Sequence, residues 1–168
     1  MTTTRARRAT WWTLIVGLVL AIAATAALGG WQAVKGRKLD NAVSAAARQT
    51  VLDTSRSTAV KLLSYKPDTV EADLNAAASL LTGNFRESYS KLTHDVVIPG
   101  AKQKNITAVA QVPAAGVESL TTDKASTIVF VNQTVTVPPD APTNTASSIR
   151  VGLRKINGAW FIDAFDPI

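Results

Sequence analysis

The sequence has no cysteine, a single histidine and only 12 acidic residues among 168. Without thiols, disulfides, thiolate-bound metals and a cysteine nucleophile are excluded. The compartment stays open, because a cysteine-free chain can fold on either side of a membrane. One histidine cannot build a multi-histidine metal site. Glycine-rich phosphate loops, a nucleophile elbow and metal-spaced carboxylates are also missing. No acid occurs before Asp40, and no charge of either sign between Trp11 and Gly30.

What is present divides accordingly. The net charge is +6, with 18 Lys and Arg. Six of these (Arg5, Arg7, Arg8, Lys35, Arg37 and Lys38) flank the uncharged run, and the remaining 12 balance the 12 acids. A nucleic-acid surface needs basic residues clustered on the folded domain, so this distribution argues against nucleic-acid binding. Apart from the run, roughly 130 residues remain, enough for one hydrophobic core without disulfides or metal.

The run Trp11–Gly30, WWTLIVGLVLAIAATAALGG, holds 20 residues. At ~1.5 Å per residue it spans about 30 Å, the thickness of a bilayer's hydrocarbon core. Trp11, Trp12 and Trp31 sit at its ends, where an indole prefers the interface. The expectation is a basic tail over 1–10 and a transmembrane helix over 11–31. A cleaved signal is the competing reading, with Arg7-Arg8 as n-region and Ala24-Thr25-Ala26 as the cleavage site. The run exceeds a usual signal core, and Trp31 with Lys35 reads as interface and stop, so the anchor is preferred. Lys and Arg counts on the two sides are equal and do not set the orientation. The short basic tail gives the expectation of a single-pass cell-membrane protein, N-terminus cytoplasmic and C-terminal domain outside.

Residues 32–65 contain no proline and favour helix. Leu39, Val43, Ala46, Ala47, Ala59, Leu62 and Leu63 recur at helical spacing, with a polar middle at Thr50, Thr54, Ser57 and Thr58. This Ala- and Thr-rich stripe is either core against a sheet, the preferred reading, or a seam for a partner helix. Tyr65-Lys66-Pro67 ends the helix. Asp68 and Glu71 read as a capping box opening a second helix through Leu74, Ala77, Ala78 and Leu81. Gly83 is expected to stop it in a left-handed cap. Phe85, Tyr89 and Leu92 mark a third helix, broken at Pro99-Gly100.

After about residue 105 the period becomes 2. Ile106–Val112 is strand-like, with a kink or bulge at residues 113–116. Ser126–Val137 is the strongest strand. It carries Val129, Val131, Val135 and Val137 on one face and Ile128 and Phe130 on the other, which suggests cover on both sides, at least in part. A proline-rich loop from Pro138 is expected to end near Ser148. Ile149, Val151 and Leu153 alternate with polar residues, and Asn157-Gly158 demands a type I′ hairpin turn. Trp160, Phe161, Ile162 and Phe165 form the last strand. Helices first, then a meander of about four strands, define an α+β fold with helices on one face of a curved antiparallel sheet.

Candidate chemistry is sparse. His94 lies beside Asp95 at a helix end, and Asp163 and Asp166 flank the end of the last strand. A general base needs convergent partners, and the sequence offers none near them. Solvated or capping roles are preferred. Asn105-Ile106-Thr107 and Asn132-Gln133-Thr134 match the glycosylation pattern, which is short and often fortuitous. Phe85, Tyr89, Phe130, Trp160, Phe161 and Phe165 either line a small-molecule pocket or, as preferred, fill the core. No catalytic, cofactor-binding or metal-binding residue is assigned.

Three features in order carry a family resemblance. They are Leu80-Leu81-Thr82-Gly83-Asn84-Phe85-Arg86 with Tyr89, the valine-rich strand ending in Asn132-Gln133, and Gly158-Ala159-Trp160 running to Asp166-Pro167. With the basic tail, the span and the Ala-rich helix, the chain resembles the Mce-associated membrane proteins, accessory proteins of actinobacterial Mce lipid-import systems. The resemblance implies a cone of curved sheet like nuclear transport factor 2 (NTF2), over residues 66–168 and completed by part of 32–65. It also implies an extracytoplasmic, non-enzymatic subunit that stabilises or assists a lipid or sterol importer. Its partners would be the bilayer, Mce transporter subunits and, through the 32–65 helix, a related membrane protein. No catalytic residues come with it. The motif residues fit structural duties: Gly83 caps, Phe85 and Tyr89 pack, Asn157 and Gly158 turn, and Trp160 plugs the core. The alternatives are a module holding a lipid or small apolar ligand in the cone, and an isomerase- or cyclase-like enzyme using Asp163 or His94.

Overall fold

The computed structural model describes residues 44–168, and the fold is that of the compact unit Ala47–Ile168. The basic tail, the hydrophobic run with Trp11, Trp12 and Trp31, and the start of the long helix lie outside the described residues. Among the described residues, no helix is long and apolar enough to cross a membrane.

Helix α1 occupies residues 44–63. Its first two turns are largely exposed. From Val51 onward, Val51, Ser55, Thr58, Ala59 and Leu62 form a buried stripe at 3.6-residue spacing. The polar middle therefore carries part of the buried face, with Thr58 on it and Ser55 completing it. Ser55 donates to the Val51 carbonyl at 2.8 Å and accepts from Thr127 of the sheet at 2.9 Å. Both hydroxyls are thus buried with partners. Beyond α1, Tyr65 exchanges two main-chain hydrogen bonds with Ala108, which pins the chain before Pro67 to the first strand.

Helix α2 spans Val70–Ala78 and buries Val70, Leu74, Ala77 and Ala78. The expected capping box does not form. A turn through Pro67–Thr69 moves the N-cap to Thr69, whose hydroxyl donates to Asp73 at 2.6 Å. Glu71 is drawn instead to Lys102 at 2.7 Å. Leu81 is buried as expected but is not helical. Leu80–Thr82 runs parallel to the last strand, through Thr82 N–H to the Ile162 carbonyl and Ile162 N–H to the Leu80 carbonyl. Gly83 has φ +61, yet it opens α3 (Gly83–Leu92) rather than closing α2, whose C-cap is Ser79. Leu92, in phase with Phe85 and Tyr89, is exposed.

Pro99 and Gly100 do not break the chain. A π-turn, Thr93–Val97, leads directly into α4, Ile98–Lys104. Pro99 falls in the first turn of α4, where its missing N–H does no harm. Asn105, at φ 52, ends that helix in the left-handed region.

Four strands follow as an antiparallel meander: β1 (Thr107–Leu120), β2 (Lys124–Thr136), β3 (Thr143–Ile156) and β4 (Ala159–Pro167), in the order β1-β2-β3-β4. The β1–β2 register shifts between Gln111 and Ala114, which places the expected bulge at Pro113. The loop after β2 is shorter than expected, because β3 already pairs from Thr143. Asn157 (φ 50) and Gly158 (φ 85) make the tight β3–β4 turn.

Among the described residues, helices cover one face of β2. Ala125, Thr127, Val129 and Val131 are buried on the helix side, whereas Phe130, on the other face, is 48% exposed. The expected partial cover of the second face reduces to partly buried Ser126 and Ile128. The main core joins this inner face, with Val151, Leu153 and Ile162, to Val51, Ala59 and Leu62 of α1. A smaller cluster, Val70, Leu74, Ile98 and Ala101, holds the helices together. Burying each Leu, Ile or Val side chain contributes about 1.5–3 kcal/mol.

Candidate functional site

The two apolar clusters do not close completely on each other. Between them lies a cavity of about 340 Å³. The end of α1 gives it Leu62 and Leu63, followed by Tyr65, and α2 gives Leu74. From α3 and the π-turn come Phe85, Tyr89, Leu92, Thr93 and Val97. The sheet supplies Gln133 and Phe165. The aromatic part is held by ring contacts: Phe85 stacks on Phe165 at 6.1 Å and meets Tyr89 at 6.2 Å, tilted by 51°. Leu92 lines the cavity while 56% exposed, so it stands at the mouth.

No charged residue lines the cavity, and the side chains of Tyr89, Thr93 and Gln133 are tied to the backbone. The Tyr89 hydroxyl donates to the Leu62 carbonyl at 3.2 Å. The Thr93 hydroxyl donates to the carbonyls of Tyr89 (2.9 Å) and Ser90 (3.0 Å). The Gln133 amide donates to the Leu63 carbonyl at 2.9 Å. Burial pushes the Tyr89 phenol well above its ordinary value, with Tyr65 adding to the effect, and burial raises Tyr65 as well. Both phenols therefore stay protonated across the physiological range.

The candidate bases lie elsewhere. His94 and Asp95 are exposed on the π-turn. Asp163 and Asp166 both fall within β4: Asp163 meets Arg154 at 3.2 Å, and Asp166 is exposed. Among the described residues, no group of three His, Asp or Glu side chains could hold a metal. Of the six aromatic residues weighed for a pocket, only Phe85, Tyr89 and Phe165 line it. Trp160 packs against the main core with the Lys155 ammonium 5.6 Å from its ring, and Phe130 faces solvent. Asn157 and Gly158 sit at the β3–β4 turn. Sequence reasoning missed Gln133, Thr93 and Leu74 as wall residues. Gln133 carried a signal: it is a polar residue set between Val131 and Val135 on the apolar face of the strand.

A helix-covered, curved four-stranded meander of this kind is an NTF2-like fold. The chain is similar to an NTF2-like protein with a cystatin-like fold from Novosphingobium aromaticivorans, at TM-score 0.54 and 13% identity over 77% of this chain and 85% of that one. It is also similar to an IcmL-like type IV secretion system protein from Legionella pneumophila, at TM-score 0.62 and 11% identity, covering 72% and 93%. The periplasmic domain of DotI matches at TM-score 0.58 and 13% identity, covering 70% and 92%. No family model matches the chain. It is 50% identical over 157 residues to Outer membrane protein Rv1973 of Mycobacterium tuberculosis, covering 92% of this chain and 94% of that one. Uncharacterized protein Rv1362c of the same organism is 34% identical over 152 residues, covering 90% and 69%. The chain belongs to the family of these two mycobacterial proteins. A match over 92% of the chain takes in most of the hydrophobic run, whichever end is left out.

Proposed function

We propose that this protein is a non-enzymatic, membrane-anchored accessory subunit that stabilises or assists an Mce-type lipid-import complex. The observation that carries this reading is the 50% identity, extending through most of the hydrophobic run, to a protein named for a membrane. The sheet is not the membrane-spanning part: it is open, and helices pack on its inner face, whereas a transmembrane barrel is closed and apolar outside. Attachment then falls to residues 11–31, with Trp11, Trp12 and Trp31 at the interfaces and residues 1–10 in the cytoplasm. Residues 32–65 leave the membrane as a helix, and 66–168, completed by part of that helix, form the extracytoplasmic domain. A related membrane protein would pair along the helix of residues 32–65. Gly83, Phe85, Tyr89, Asn157, Gly158 and Trp160 serve the fold rather than chemistry. A fold neighbour that is a type IV secretion system protein supports the view that this cone works as a building block of an assembly. Deleting the gene should lower the level of the partner transporter and its lipid uptake. Unchanged transporter levels and uptake would refute the reading.

The cavity favours a second reading, in which the cone holds a small apolar ligand. Its volume lies at the lower end of the ~300–1,000 Å³ typical of ligand pockets, and its wall is almost wholly apolar. No carboxylate or imidazole lines it, so the base proposed for an isomerase-like reaction, Asp163 or His94, is not at the cavity.

A further inference from the structure

We infer that the cavity between α1, α3 and the sheet binds a neutral single-chain molecule bearing a hydroxyl, and discriminates against the matching carboxylate. The inference rests on the second reading above and adds the chemistry of the ligand.

Three polar side chains of the wall have spent a proton on main-chain carbonyls. Tyr89 donates to Leu62, Thr93 to Tyr89 and Ser90, and Gln133 to Leu63. The hydrogen-bonding capacity left to them is mostly oxygen lone pairs: the phenol and hydroxyl oxygens and the Gln133 carbonyl. A lone-pair wall is matched by a donor. An alcohol O–H supplies one, and its oxygen can accept from Tyr65 or the second Gln133 N–H. A carboxylate could accept from those same two donors, but it has no proton for the lone pairs of Tyr89 and Thr93 and keeps its charge. No Lys, Arg or His lines the cavity to neutralise it. Burying an unpaired charge costs far more than burying a hydrogen-bonded hydroxyl. About 340 Å³ suits one short alkyl chain better than a two-chain lipid. Entry passes Leu92, an apolar side chain left exposed at the mouth.

The test uses the full-length chain in phosphatidylcholine nanodiscs. Diazirine-bearing analogues of dodecan-1-ol and dodecanoate are added at equal membrane concentration, photolysed, and mapped by mass spectrometry. The alcohol probe should label peptides containing Leu62–Tyr65 and Phe85–Val97 at least about tenfold more than the acid probe, and unlabelled dodecan-1-ol should compete. Leu92→Trp, a change at an exposed position, should block labelling. Leu92→Arg supplies the missing cation and should raise acid labelling toward that of the alcohol. Equal labelling by both probes, or a preference for the acid, would overturn the hydroxyl inference and leave the cavity reading standing. Acid labelling unmoved by Leu92→Arg would also count against the inference. Absence of cavity labelling by either probe would sink the cavity reading itself.

Discussion

On β2, neighbouring residues live in different solvents. Ala125, Thr127, Val129 and Val131 are buried beneath the helices, while Lys124, Phe130 and Asn132 on the opposite face are exposed. The inner face is held by packing and by one buried hydroxyl pair. The outer face is stitched by polar contacts: Ser126 and Arg150 both reach Glu118, at 2.7 and 3.1 Å, and Arg154 reaches Asp163 at 3.2 Å. Exposed pairs of this kind contribute little, because water screens them. Stability should therefore be concentrated on the inner face, which leaves the outer face free to vary or to dock.

The sharpest contrast pairs Ile162→Ala with Phe130→Ala. Ile162 is fully buried, and its truncation should cost about 2–5 kcal/mol in denaturant unfolding. Phe130 is the larger side chain, yet its loss should cost under about 1 kcal/mol. A reversed order would break the comparison. Gly152→Ala probes an outer-face position with no room. A new Cβ there would lie 2.8 Å from Asp163 Oδ1 and 3.0 Å from Ala164 Cβ. We expect a loss of about 1–3 kcal/mol, partly relieved by adding Asp163→Ala.

Next comes Thr127→Val, which removes the donor to Ser55 and should cost about 1 kcal/mol. The double variant with Ser55→Ala should recover part of that, because neither partner is then left behind. The smallest effect concerns Glu118, whose carboxyl is held below the usual range first by the Ser126 hydroxyl and then by Arg150. A lowered folded pKa gives stability that is present above the unfolded carboxylate value. That stability is lost as pH falls through the folded one. NMR titration of the Glu118 carboxyl should show its pKa rising in Ser126→Ala and, to a lesser extent, in Arg150→Ala.

Local chemistry was the legible part of the fold. Asn157-Gly158 needs positive φ at both positions and has it. The valines of β2 announced the strand, and Pro113 the bulge. Where the reading failed, tertiary contacts had overridden a local signal. Glu71 left the capping box for Lys102, and Leu80–Thr82 left the helix to pair with β4. The first turn of α4 absorbed Pro99. The cavity was half visible. Phe85, Tyr89 and Phe165 stood out as aromatics, but Leu62, Leu74 and Gln133 come from segments far apart in sequence, and only the fold brings them together.

The most direct measurement is purification of the full-length protein from its native membrane in a gentle detergent, followed by identification of what comes with it. The account predicts permease, ATPase or substrate-binding subunits of an Mce transporter at near-stoichiometric levels. Recovery of the protein alone, with the transporter intact elsewhere in the same extract, would contradict it.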